Sequence, residues 1–264
     1  MILSIAIQAA KEAGKMMLEC SGDLANLTIE EKSLHDYVSE VDRESESIIT
    51  KHIINKFPNH TVIGEEFGST GNQLAEYKWI VDPLDGTTNY LRGIPHYAVS
   101  IAVLRNNVIE HAVVFDPSKN ELFTASIGEG AYLNGKPLKV SGRSSTKGAL
   151  LSTGIPFSGK NLDEINSFTK TMESLLEKQT SGIRRFGAAA LDLAYVAAGR
   201  YDGFWDANLK PWDIAAGVLL VEEAGGVVYD FSAELNFLES GDIIAATPNL
   251  ISDLLDFTNE HYQR

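Results

Sequence analysis

Only one cysteine, Cys20, occurs in the 264 residues. That excludes an intramolecular disulfide and any zinc site assembled from several thiolates. The lone thiol is read as packing on a helix face rather than as a nucleophile. Nor does any stretch approach the roughly 20 apolar residues of a membrane-spanning helix. Basic residues are scarce: 22 Lys and Arg stand against 36 Asp and Glu, a net charge of −14. A general binder of nucleic acid or of anionic membranes needs a basic patch, so neither partner is expected. An acidic surplus mostly serves solubility, but it also suits a pocket that collects divalent cations.

Internal repeats and low-complexity tracts are missing too. Residues 2–18 carry Lys11, Glu12 and Lys15 and have no basic leader ahead of their apolar positions. They read as an amphipathic helix and not as a signal peptide. The glycosylation sequons at Asn26 and Asn59 are then chance matches, and a cytoplasmic location is expected.

A chain of this length can bury a large core, as one domain or as two intimate halves. In residues 1–145 a first helix keeps Ile5, Ala6, Ala9, Ala10, Ala13, Met16 and Met17 on one face. A second runs over about 42–57, stopped by Pro58. Strands are predicted at 61–63, 78–81, 97–104 and 108–115, the last two joined by a turn at Arg105-Asn106-Asn107. Asn134-Gly135 marks a tighter hairpin, because a type I′ turn needs positive φ at both central residues. Gly128 and Gly130 lack the third glycine of a dinucleotide fingerprint and read as sheet punctuation. Ser141–Gly148 (SGRSSTKG) is a linker. Beyond it, in 146–264, strands at 149–152, 203–205, 227–230 and 243–246 alternate with helices at about 161–178, 188–198 and 212–224 and a last one from Pro248. The fold class is thus α/β: an α+β first half and an α/β second half sharing a cleft.

The cleft is where the acids gather. Residues 79–90 read WIVDPLDGTTNY. A strand drives into Asp82, Pro83 is expected to end its ladder, and Asp85 opens a Gly-Thr-Thr-Asn stretch suited to a helix start with bare amides. Two carboxylates beside such amides can hold a hard cation and a phosphate together. Glu65 follows another short strand, Asp213 falls in the first turn of a helix, and Asp42 opens the second helix. Each position alone is more often a cap than a ligand. Four or five acids at element ends beside a phosphate seat make a site.

Three segments, GEE at 64–66, DPLDGTTN at 82–89 and WDIAAG at 212–217, resemble the signatures of the inositol monophosphatase family, and residues 184–206 look most like its bacterial members. These are lithium-sensitive, Mg²⁺-dependent phosphatases related to fructose-1,6-bisphosphatase. The resemblance implies a layered αβαβα sandwich and a homodimer. It places one Mg²⁺ on Glu65, Asp82 and the Leu84 carbonyl, and a second on Asp82, Asp85 and Asp213. A weaker third ion would sit near Glu65. Paired ions about 3.5–4 Å apart stabilise the attacking and leaving oxygens of an in-line displacement. Thr87, partnered by Asp42, would orient the attacking water. The Gly86 and Thr87 amides and Lys32, in a polar 30–40 segment that reads equally as lid or connector, would face the phosphate.

For the substrate alcohol the resemblance implies Asp85, Asp206 and the Ala189 amide. Asp206 stands where Glu is usual and has a shorter reach, and Ala188 stands where Ser or Thr is usual, so one side-chain contact to the alcohol is missing. Arg184 and Arg185 face either an anionic substrate or, the favoured reading, a subunit contact. His96 is read as structural, and Trp79, Trp205 and Trp212 as packing walls. The function implied is hydrolysis of a small phosphate monoester, inositol 1-phosphate first. Histidinol phosphate, fructose 1,6-bisphosphate and adenosine 3′,5′-bisphosphate are the alternatives on the same chemistry. A protein-binding role is the reading from another class, and the intact ligand set speaks against it.

Overall fold

The computed structural model describes residues 1–22, 29–33, 36–156 and 162–262. The first elements are α1 (Ile2–Cys20), the hairpin β1 (Ile29–Ser33) and β2 (Asp36–Ser39), and α2 (Glu40–Lys56). Next come β3 (Thr61–Gly64), β4 (Gly68–Gly71), β5 (Tyr77–Asp85), α3 (Thr87–Leu91), β6 (Ala98–Arg105) and β7 (Val108–Asp116). The strands β8 (Glu121–Ser126), β9 (Gly130–Leu133) and β10 (Lys136–Pro137) close this half. β11 (Leu150–Thr153), α4 (Leu162–Glu177), β12 (Gly182–Arg184), α5 (Ala189–Ala197) and β13 (Gly203–Asp206) follow. The chain ends through α6 (Pro211–Glu223), β14 (Val227–Tyr229), α7 (Phe237–Ser240), β15 (Ile243–Ala246) and α8 (Ile251–His261).

Strands β3 to β10 form an eight-stranded sheet in the order β10-β9-β8-β7-β6-β5-β3-β4, and β11 to β15 a five-stranded sheet in the order β12-β11-β13-β15-β14. Side chains alternate along each strand, and the alternation sets the layers. Trp79, Val81, Ile101 and Val113 face the alanine stripe Ala6, Ala9, Ala10 and Ala13 of α1, with Ile49 and Ile53 of α2. Ile80, Ala102 and Val114 point the other way, onto Leu191 and Leu193 of α5 and Ile214 and Val218 of α6. Phe204 and Ala245 of the second sheet meet the same helices. Its outer residues, Leu151, Trp205 and Ile244, pack with Leu175 of α4 and Leu254 of α8. The order is helix, sheet, helix, sheet, helix, as the resemblance implied. Trp79 and Trp205 are core walls, and Trp212 is partly buried against the central layer.

The central helices pack without room to spare. A Cβ on Gly217 of α6 would lie 2.4 Å from Cδ1 and 2.5 Å from Cβ of Leu193 on α5. Gly217→Ala is therefore expected to destabilise the fold by about 1–3 kcal/mol, the usual cost of overpacking, read as a lower urea midpoint with an unchanged slope. An unshifted midpoint would show that α5 and α6 separate freely.

Three expectations need correcting. Pro83 does not end its strand. β5 continues to Asp85, and its register against β6 slips by one residue: Asp82 pairs with Ser100, but Asp85 with Ala98. A bulge tolerates proline. The extra residue also restores parity, so Asp82 and Asp85, three apart, fall on one face of the sheet. The helix cap at Asp42 is the second correction: the N-cap is Ser39, and Asp42 is the third helical residue of a reciprocal capping box. Strands β8 and β9 pair as a hairpin around the turn that Gly128 and Gly130 mark. The last helix begins at Ile251 rather than Pro248. The asparagine turns are as expected, with φ of 50° and 65° at Asn106 and Asn107, and 48° and 77° at Asn134 and Gly135.

Candidate active site

The pairing of parallel strands β3 and β5 stops at Gly64 opposite Val81, while β5 runs on to Asp85. Glu65 and Asp82 follow these partners directly, so the pairing delivers two acids to one edge. The Glu65 N–H donates to Val81 O at 3.2 Å. Asp82 is buried, and its Oδ1 accepts the Leu84 N–H at 3.0 Å, which folds the bulge around it. Asp85, also buried, reaches across to the second half: its Oδ2 accepts the Ala190 N–H at 2.8 Å. The amides of Ala189 and Leu191 face the same carboxylate. The N-terminus of α5 is a favourable seat for that negative charge, and the Ala189 amide, expected to meet substrate, leans on Asp85 here. Asp213 sits in the first turn of α6, accepting the Lys210 N–H at 2.6 Å.

Burial pushes these carboxyls up, and they push one another. Asp82 lies well above the ordinary carboxylate range, first through desolvation and then through the charges of Glu65, Asp85 and Asp213. Asp85 is raised to about 7 by desolvation against the lowering pull of the Ala190 amide. Asp213 is raised to about 7 by desolvation, with Asp85 and Asp206 adding to it. Among the described residues no three acids, histidines or cysteines close into a finished metal cage. The donors still suit Mg²⁺, which takes oxygen ligands, keeps several waters and needs only a few carboxylates. A divalent cation would offset the desolvation that first drives these groups toward protonation, and the mutual repulsion that adds to it.

Beside the acids stands Thr87, at the start of α3. Gly86 before it has φ 92°, and a Cβ there would come within 3.0 Å of His96 O, so the sharp turn into α3 requires glycine. Thr87 Oγ1 lies 2.8 Å from Asp42 Oδ1 and 3.1 Å from Leu84 O. Asp42 is fixed by its other oxygen, which accepts the Ser39 N–H at 2.8 Å and the Ser39 hydroxyl at 2.6 Å. Lys32 lies on β1. Asp206 ends β13, where the Ala207 N–H donates to Oδ1 at 2.8 Å. Its carboxyl is also raised to about 7, by desolvation above all, with the Ala207 amide opposing. A Cβ on Gly154 would lie 2.0 Å from Asp206 Oδ2, so glycine makes room for this acid.

Ala188 is buried, as is His96, whose imidazole desolvation lowers to about 4. A neutral ring against Phe186, centroids 5.1 Å apart, matches its structural reading. Reading the sequence missed two buried residues. Asn89 donates to His96 O at 2.8 Å and Phe186 O at 2.7 Å, tying the signature to the loop before α5. Asp192 lies behind Asp85 and Asp206, whose charges add to the desolvation that raises it well above the ordinary range. Asn89 was inside a quoted motif; Asp192 gave no signal beyond an acid in an apolar helix.

A five-layer αβαβα sandwich with acids at converging strand and helix ends is the architecture of a class of phosphatases. The chain belongs to the Inositol monophosphatase family, whose pattern matches residues 1–261. Nus factor SuhB of Pseudomonas aeruginosa is 48% identical over 262 residues, 98% of this chain and 96% of that protein. The crystal structure of the extragenic suppressor protein suhB from Bartonella henselae superposes with a TM-score of 0.94 at 39% identity, covering 99% of each chain. Inositol monophosphatase from Anabaena gives 0.86 at 37% identity, over 99% of this chain and 96% of that one.

Proposed function

We propose that the protein hydrolyses a small phosphate monoester with Mg²⁺, inositol 1-phosphate being the favoured substrate. The observation that carries this reading is the Asp42–Thr87 pair set against the acid cluster of Glu65, Asp82, Asp85 and Asp213. Glu65, Asp82 and the Leu84 carbonyl would hold one ion, and Asp82, Asp85 and Asp213 a second, with a third near Glu65. When bound, Mg²⁺ supplies Lewis-acid polarisation of the phosphoryl group and a lowered water pKa.

The chain's own groups do the rest. The Thr87 hydroxyl gives its hydrogen to Asp42, which leaves its oxygen lone pairs to accept one from the attacking water. The Gly86 and Thr87 amides and Lys32 would hold the phosphate, while Asp85, Asp206 and the Ala189 amide would hold the alcohol. Water oxygen bonds to phosphorus and gives up one proton, the bond from phosphorus to the ester oxygen breaks, and the departing alkoxide gains one proton, so the alcohol and phosphate form with no net proton change. Histidinol phosphate, fructose 1,6-bisphosphate and adenosine 3′,5′-bisphosphate remain the alternatives, because one fold can serve several alcohols.

Among the described residues no helix is long and apolar enough to cross a membrane. A homodimer in the cytoplasm without direct nucleic-acid contact completes the reading, the last point resting on the net charge of −14. The relatives' name, Nus factor SuhB, is not a phosphatase name, so a second, non-catalytic role is kept beside the catalytic one.

Initial rates on the four phosphate esters, with Mg²⁺ and with excess chelator, test the proposal. Turnover should vanish with chelator, return with Mg²⁺, and be inhibited by Li⁺. Full activity in chelator ends the metal reading. A preference for histidinol phosphate reassigns the substrate.

A further inference from the structure

One face of α2 reaches three separate pieces of the site. Positions 42, 45 and 46 lie together on a helix. Asp42 holds Thr87, as described. The Ser45 hydroxyl donates to Pro83 O at 2.8 Å, pinning the bulge between Asp82 and Asp85. Glu46, 1% exposed, turns its carboxylate under the connection from β3 to β4: Oε2 accepts the Glu66 N–H at 2.7 Å and Oε1 the Phe67 N–H at 3.0 Å. These are the two residues after Glu65. The Glu65 N–H is itself held by β5, so the backbone is gripped on both sides of that side chain.

The neighbouring glycine has the same explanation. A Cβ on Gly64 would fall 2.0 Å from Glu46 Oε1 and 2.2 Å from its carboxyl carbon. Gly64 has an ordinary backbone φ, so a turn requirement does not explain it; the space is taken by Glu46. A buried carboxylate is costly unless hydrogen-bonded, and an apolar side chain would fill a core position more cheaply. Two backbone N–H bonds to a charged acceptor offset that cost and define one turn geometry.

We propose that Glu46 is a positioning residue for Glu65: its carboxylate locks the β3–β4 turn so that Glu65 faces Asp82, and Gly64 is the clearance it needs. This rests on Glu65 being an ion ligand, as proposed above. Glu46→Gln keeps the shape but turns an amide NH₂ toward one of the two N–H groups, which then loses its acceptor. Groups that orient a ligand from outside the coordination sphere are worth about 10–100-fold in metal affinity. Glu46→Gln in the full chain should therefore weaken Mg²⁺ binding, measured calorimetrically, by about 10–100-fold. Protection of the Glu66 and Phe67 amides from hydrogen exchange should fall, and kcat should recover at saturating Mg²⁺.

Glu65→Gln is the reference, expected to weaken binding at least as much. If Glu65→Gln binds Mg²⁺ normally, the ligand reading fails and the proposal with it. If Glu65→Gln is weak while Glu46→Gln binds normally, the proposal alone is overturned, whatever happens to the melting temperature. Should Glu46→Gln not fold, Gly64→Ala decides, because its methyl displaces the carboxylate without removing it. It should show the same weakened binding, and normal binding overturns the proposal.

Discussion

Replacing Asp85 with Asn should remove at least about 100-fold of turnover, because groups that merely orient a metal ligand already cost about 10–100-fold when lost. Asp85 ends β5, crosses to the N-terminus of α5 and sits within the charge field of Asp82 and Asp213. A neutral amide there cannot hold the second ion and leaves the departing alkoxide without stabilisation. Folding should respond differently. The folded-state pKa of about 7 exceeds the ordinary 3.8, so the metal-free fold binds this proton more tightly than the unfolded chain does. Through this group the metal-free fold loses stability as pH rises from about 4 to about 7. Asn removes that loss, and at pH 8 the metal-free variant should melt no lower than the wild type. Mg²⁺, which stabilises by binding only the folded form, should raise the melting temperature of the wild type more than that of the variant, which keeps only the ligands proposed for the first ion. Near-normal turnover would break the two-ion assignment. A variant that melts lower but is lifted by Mg²⁺ as much as the wild type would make Asp85 structural.

Much of this arrangement could be read before any coordinates. Acids at element ends announce themselves, because apolar strands and helices on either side frame them: Glu65 after 61–63, Asp82 after 78–81 and Asp213 in the first turn of an apolar helix. Asparagine and glycine fixed the hairpin turns at 106–107 and 134–135 through their tolerance of positive φ. The bulge at Pro83 was not legible. A proline reads locally as the end of a ladder, and only pairing with β6 shows that one extra residue turns Asp85 to the side of Asp82. Glu46 was hidden for a different reason. It lies in a run of charges, EVDRESES, that resembles a solvated helix face, and its burial depends on a turn 20 residues away. Asp192 and Asn89 likewise depend on contacts between the two halves, which no local pattern encodes.

Thr87→Ala should lower kcat by about 100-fold or more, within the 10²–10⁴ range of proton-handling groups, and change KM by no more than about threefold. The geometry gives the reason. Thr87 Oγ1 has one hydrogen and two acceptors in reach, Asp42 Oδ1 at 2.8 Å and Leu84 O at 3.1 Å. An ion on the Leu84 carbonyl would leave Asp42 as the acceptor. With its hydrogen so committed, the hydroxyl can meet a water only as an acceptor, which turns a water lone pair toward phosphorus. Desolvation raises the Asp42 carboxyl while Ser39 and Thr87 pull it back down; as that group protonates at falling pH, it stops receiving the Thr87 hydrogen and the rate should drop. Thr87→Ser keeps the oxygen and should retain most of kcat, whereas Thr87→Val fills the space without it and should behave as Ala does. Asp42→Asn tests the same chain from its far end, since an amide can donate to Thr87 and reverse the bond; it should lower kcat while inositol 1-phosphate KM stays near normal. A Thr87→Ala effect confined to KM would reduce Thr87 to a phosphate contact, and equal losses for Ser and Val would show that the hydroxyl is not what matters.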